Sequence, residues 1–217
     1  MCPKRTLIPG LFVAVASFAA PQQALYKIDT FAGGTFNGDG RSANAAVFVQ
    51  PQSVAVDRIG NIYLSDSGDH RIRRIGLDGI VQTVAGTGLP GALGDGGPGA
   101  QAQLNSPYGL ALDSGGNLLI ADLGNGLIRR LRVNGNLETV AGGGRDTPTS
   151  PGAISARSAR LLQPRDVAVD YSGNILISDF GSNRVYSVDT FGSLSVLAGS
   201  GEQGGIKDVP TLATAAP

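Results

Sequence analysis

One stretch of this chain is written three times, and that repetition limits the fold more than any other feature. Residues 104–144 read LNSPYGLALDSGGNLLIADLGNGLIRRLRVNGNLETVAGGG. The pattern stands earlier as FVQPQSVAVDRIGNIYLSDSGDHRIRRIGLDGIVQTVAGTG (48–88) and later as LLQPRDVAVDYSGNILISDFGSNRVYSVDTFGSLSVLAGSG (161–201). Asp57, Asp113 and Asp170 are 56 and 57 residues apart, and so are Asp66, Asp122 and Asp179. Spacing this regular means one supersecondary unit, built repeatedly and stacked on its own copies.

Each copy holds four strand signals, in the middle one GLALD, NLLIAD, LIRRLRV and LETVAG. The links between them are short: SGG (114–116), LGNG (123–126) and NG (134–135). Connections this short force antiparallel neighbours. The second strand is apolar throughout (NLLIA, NILIS), as in a strand buried on both faces. Pro51, Pro107 and Pro164 each precede a first strand, where a missing N–H is tolerated. A single four-stranded sheet with two apolar faces has nothing to bury them against. The period and strand count predict an all-β chain of β-propeller blades. The segments before the prolines, GDGRSANAAVFVQP (38–51) and GDGGPGAQAQLNSP (94–107), read as linkers without a long strand.

Composition agrees. Of 217 residues 33 are Gly and none is Trp, against a usual Gly share of about 7%. Lys plus Arg and Asp plus Glu number 17 each, so no basic face for nucleic acid is expected. Residues 1–24 read as a signal peptide: Lys4 and Arg5, then an apolar run from Leu7 to Ala20, then small residues. The run falls short of the ~20 residues of a membrane span, so no stable membrane anchor is expected and the chain is placed outside the cytoplasm, periplasmic or extracellular. Cys2 precedes the run, which leaves the rest of the chain without a thiol, and no cofactor is expected.

The pattern in PQSVAVDRIGNIYLSDSGDHRI (51–72) and PRDVAVDYSGNILISDFGSNRV (164–185) resembles the NHL-repeat family, and the GDGG linkers resemble those of secreted bacterial NHL proteins and of teneurins. The resemblance implies a β-propeller of NHL type. Three four-stranded antiparallel blades occupy 38–88, 89–144 and 145–201. Residues 25–37 are the outer strand of a preceding blade, and 202–217 begin a further linker. Three blades make an incomplete ring. The expectations are a fragment of something longer, a remnant without independent function, or self-association that completes the ring.

No catalytic set emerges. Asp57, Asp113 and Asp170 read as turn caps rather than a cation ring. Asp66 with Arg71, and Asp179 with Arg184, read as a structural clasp between strands; the middle copy has Leu127 in the arginine position. The GDG pieces read as turns, without the acidic spacing of a calcium loop. His70, the sole histidine, does not supply the three ligands of a catalytic zinc, so no metal site is expected. The expected role is non-enzymatic binding of a protein or glycan through rim loops, using Asp69, His70, Tyr108, Asn125, Arg165, Ser182 and Asn183. The alternative implied by the resemblance is a metal-dependent lactonase or lyase.

Overall fold

The computed structural model describes residues 38–149 and 152–203. The proposed signal peptide, the outer strand at 25–37 and most of the final linker lie outside the described residues. The rest folds as three consecutive antiparallel sheets. The first contains β1 (Pro51–Val56), β2 (Ile62–Asp66), β3 (Arg71–Ile75) and β4 (Val81–Ala85). The second contains β5 (Pro107–Leu112), β6 (Leu118–Asp122), β7 (Leu127–Leu131) and β8 (Leu137–Gly142). In the third, β10 (Pro164–Val169), β11 (Ile175–Asp179), β12 (Arg184–Val188) and β13 (Ser193–Ala198) repeat the meander. There a short β9 (Ala153–Ser155) joins the outer edge beside β13, so this sheet has five strands.

That fifth strand is added to the expected four-stranded meander, and its cause is present in every copy. The linker that enters each sheet doubles back along the sheet's own outermost strand. Gly40 N–H donates to Val81 O and Val81 N–H to Arg41 O; Gly96 N–H donates to Leu137 O and Leu137 N–H to Gly97 O. An outer strand carries a row of unpaired N–H and C=O groups, and the linker satisfies them. Only in the third copy does the pairing run long enough to make a strand.

Registers are the same in all three sheets. Pro51 lies opposite Asp66, Pro107 opposite Asp122, and Pro164 opposite Asp179. Two rims result. One, the linker rim, carries the linker ends that enter the first strands and the β2–β3, β6–β7 and β11–β12 turns. The other carries the tips of the remaining hairpins.

The sheets stack face to face through their apolar sides. Ile72 and Ala85 of the first sheet meet Leu110, Leu118 and Ile120 of the second. Leu119, Ala121 and Ile128 of the second meet Val167, Ile177 and Tyr186 of the third. Every residue of β6 is buried, as its unbroken apolar run requires. The faces lock by polar contacts too: Ser65 Oγ donates to Tyr108 O at 2.6 Å, and Leu110 N–H to Ser53 Oγ at 3.3 Å. The architecture is a run of propeller blades.

Candidate functional site

At the linker rim, each second strand ends in a buried carboxylate that gathers backbone N–H groups from the incoming linker. Asp66 accepts from Val49 N (3.0 Å) and Gln50 N (2.8 Å). Asp179 accepts from Leu162 N (2.9 Å) and Gln163 N (2.7 Å). Asp122 accepts from Asn105 N (2.7 Å) and Asn125 Nδ2 (2.8 Å). Burial pushes the Asp122 carboxyl up to about 6, against the pull of Asn105, Asn125 and Arg129.

The Asp–Arg clasp is therefore corrected. Asp66 and Arg71 face each other in register, as do Asp179 and Arg184, but neither carboxylate holds its arginine. Arg71 pairs with Asp69 and donates to Thr87 O at 2.7 Å; Arg184 donates to Ser200 O. The carboxylates are enclosed and turned to the linker, while the longer guanidinium reaches across to the chain leaving the outermost strand. Gly88 and Gly201 lie against these guanidinium groups, which a Cβ there would have to displace.

Sequence reasoning missed a second polar element. Arg73 and Arg129 are almost wholly buried on the third strand. Arg73 pairs with Asp39 at 2.8 Å and Arg129 with Asp95 at 2.9 Å, so the GDG turns carry the counter-ions. Thr83 and Thr139 donate to the same carboxylates. Arg129 also lies 3.5 Å from Asp122. In the third sheet Tyr186 takes the arginine's place and donates to Ser182 Oγ at 3.1 Å; Gly152 stands for the aspartate and Val196 for the threonine. Arginine, aspartate and threonine are thus replaced together, which leaves no charge stranded. The available signal was an offset of 34 residues, from Asp39 to Arg73 and again from Asp95 to Arg129.

The seven rim residues separate by what already occupies them. Asp69 is tied to Arg71. Asn125 bridges Asp122 and Gly91 O. Ser182 is buried, between Asp179 O and the Tyr186 hydroxyl. His70 Nδ1 accepts from Ser106 N at 3.0 Å. His70 and Asn183 share a left-handed backbone (φ 52° and 51°) with Gly126 at the same turn position; Asn and His are among the non-glycine residues that adopt it most readily. Asp69, His70, Asn125 and Ser182 thus hold the turns together. Tyr108 is half-buried, its backbone oxygen accepting from Ser65. Arg165 and Asn183 are exposed and line a 310 Å³ hollow with Phe180, whose ring lies 3.9 Å from the Arg165 guanidinium.

The opposite rim carries the hairpin tips. Asp57, Asp113 and Asp170 make the expected turns: Asp57 Oδ1 accepts from Ile59 N and Asn61 N, and Asn61 Nδ2 donates to Oδ2 at 2.7 Å. Asp113 and Asp170 repeat this with Asn117 and Asn174. The Asn174 amide and neighbouring N–H groups hold the Asp170 carboxyl below its ordinary range. Among the described residues no three His, Cys, Asp or Glu side chains converge as metal ligands. The hairpin tips carry Ile59, Leu77, Val133, Tyr171 and Phe191, all largely exposed, with Tyr171 and Phe191 more than nine-tenths so. Between the first two sheets this rim opens into a groove of 830 Å³ lined by Tyr63, Arg74, Val84, Leu112, Leu131 and Val133 among others.

The family model for the NHL repeat matches residues 48–75, the β1–β2–β3 part of the first sheet. This is an NHL-repeat chain. Over 101 residues it is 41% identical to Protein SUPPRESSOR OF QUENCHING 1, chloroplastic, of Arabidopsis thaliana, which covers 45% of the chain and 9% of that protein. It is 30% identical to Teneurin-1 of Gallus gallus over 164 residues, 67% of the chain and 6% of the relative. The chain therefore spans less than a tenth of the length of these curated relatives. Among solved structures, an auxiliary nutrient binding protein from Bacteroides ovatus superposes with a TM-score of 0.50 at 20% identity, covering 66% of the NHL chain and 36% of that structure. At that identity the likeness is one of fold. Among the described residues no helix is long and apolar enough to cross a membrane.

Proposed function

We propose that the chain is an exported, non-enzymatic recognition scaffold whose NHL blades hold a protein or glycan partner on the hairpin-tip rim. The observation that carries this is the chemistry of those tips. Turn residues are ordinarily Gly, Asn, Asp, Ser or Pro, yet these tips add Leu77, Val133, Tyr171 and Phe191 to the solvent-facing surface. Each tip is fixed by an Asx-type turn, as Asp189 is by Phe191 N and Ser193 N. Apolar and aromatic groups held rigidly in water are what a partner covers. Export rests on the basic and apolar character of residues 1–24.

The test is site-specific photo-crosslinking. A benzophenone analogue of phenylalanine is placed at Phe191 or Tyr171 of the full chain, and as control at Phe180 on the opposite rim, in the cells that produce it. Discrete adducts from Phe191 and Tyr171, absent from Phe180, support the proposal. Adducts from Phe180 alone move recognition to the Arg165–Asn183 hollow. No adduct from any position refutes recognition through either rim.

A further inference from the structure

The junction between the first two sheets and the junction between the second and third are built alike. The first opens into the 830 Å³ groove, and three departures from the shared pattern meet there. One is Gly97. In the linker before β10 the matching residue is Ile154, which lies opposite Leu194 and packs into the core of the second junction. Gly97 sits at the same place, its carbonyl accepting from Leu137 N, and brings no side chain. The space that Ile154 fills at one junction is left open beside Pro98 and Gly99 at the other.

The remaining departures are Tyr63, where the second sheet has the fully buried Leu119, and Gln82, where it has Glu138. Between each pair, in register with both, stands an arginine. Arg130 lies beside the carboxylates of Glu138 (3.5 Å) and Asp113 (3.8 Å). Its counterpart Arg74, on the groove wall, donates instead to the neutral Gln82 Oε1 at 2.7 Å, and its enclosed Nε has no partner. The Asp57 oxygens are taken by their own turn and by the Tyr63 hydroxyl, and among the described residues no carboxylate lies within ion-pair distance of Arg74. A cation is thus left unneutralised in a groove whose other wall holds Leu112, Leu131 and Val133.

We propose that this groove binds a small molecule with an apolar body and a single carboxylate, the carboxylate on the Arg74 guanidinium and the body against Leu112, Leu131 and Val133. Ligand sites are concave, mostly apolar and about 300–1,000 Å³ in size, with a few polar groups that fix orientation. A guanidinium–carboxylate bond is of the strong, charge-assisted kind. One charge suits the site better than two, because Asp57 stands on the same wall. The proposal goes beyond recognition by the hairpin tips and is tested apart from it: Tyr171 and Phe191, where the crosslinking probes stand, belong to the third sheet, whereas the groove lies between the first two.

The experiment is calorimetric titration of the full chain with naphthylacetate and with naphthylacetamide, its neutral counterpart of the same shape. The unaltered chain is expected to hold the carboxylate about tenfold more tightly or better, the worth of a hydrogen bond to a charged group. Gln82→Glu gives Arg74 the pairing that Arg130 has, and is expected to erase that difference while leaving amide binding unchanged. Gly97→Ile is expected to fill the groove as Ile154 does and to abolish binding of both probes. A Cβ at position 97 meets only Gly94 O, at 3.6 Å, and the backbone there is not left-handed. An unchanged urea midpoint shows that each variant is folded. No binding of either probe, equal affinity for both, or a carboxylate preference that survives Gln82→Glu overturns the proposal. Binding undiminished in Gly97→Ile overturns the groove as its location.

Discussion

Arg129 gives the sharpest test of how these blades are held together. Its side chain is fully enclosed, 2.9 Å from Asp95 and 3.5 Å from the equally enclosed Asp122. Arg129→Ala removes the cation and leaves a buried carboxylate facing a void. Breaking a buried pair from one side costs about 3–5 kcal/mol. A chain of this size loses about 2–4 °C of melting temperature per kcal/mol, so a fall of roughly 6–20 °C is expected. Replacing the whole arrangement is a different matter, because the third sheet already shows a working substitute. Asp95→Gly, Asn125→Ser, Arg129→Tyr and Thr139→Val together install the set found at Gly152, Ser182, Tyr186 and Val196. Exchange of a buried ionic group for a packed one of similar volume is often near neutral. The four-fold variant is therefore expected to lose less than about 2 kcal/mol, allowing for the Asn125 bond to Gly91 O. Urea titrations read at constant m-value decide it. Equal damage from the single and four-fold variants would refute the idea that the two arrangements are interchangeable solutions to one packing position.

Asp179→Ala deprives Leu162 N and Gln163 N of their common acceptor and is expected to cost about 2–4 kcal/mol, read as a lower urea midpoint. Asp122 responds to pH. Its folded carboxyl is raised to about 6 from an ordinary 3.8, so between those values the folded chain holds a proton that the unfolded chain has released. Its contribution is thus fully present below about pH 4 and lost as pH rises through 6, a fall of about 3 kcal/mol; Asp122→Asn is expected to remove that slope from the pH dependence of the urea midpoint. Gly199→Ala places a Cβ 2.3 Å from Asn183 O at a φ of +89° and is expected to cost more than about 1 kcal/mol, whereas Gly192→Ala, with open space around it, bears only the backbone cost; thermal melts of the two separate crowding from conformation. Tyr171→Ser and Phe191→Ser touch no core and are expected to shift stability by under about 0.5 kcal/mol, so that any loss of crosslinking partner at these tips reads recognition and not unfolding.

What the sequence made legible was whatever is decided locally. The Asp57, Asp113 and Asp170 turns need only an aspartate, a glycine and an asparagine within five residues, and all three copies form them. The apolar run of β6 needs only its own residues to announce burial on both faces. Sequence reading went wrong where a partner comes from far along the chain. Asp66 and Arg71 are close in sequence and opposite in register, so pairing them was natural, but the linker delivers two N–H groups to Asp66 before Arg71 can reach it. The same linker delivers Asp39 to Arg73, a bond that no local pattern contains. Internal repetition still offered a way to see it. Two copies keep the pair at one offset, and the third drops both members together, which is the behaviour of groups in contact. Polar rim residues such as Asn125 and Ser182 have structural work that the sequence did not show: in irregular backbone, polar side chains bond within the turns they build. The more informative departures were the apolar residues at hairpin tips, Leu77, Val133 and Phe191, because nothing in a turn requires them. In a repeat protein a residue that breaks the pattern without a structural need is where a test of function starts, and here such residues sit on the hairpin-tip rim, where the crosslinking probes are placed.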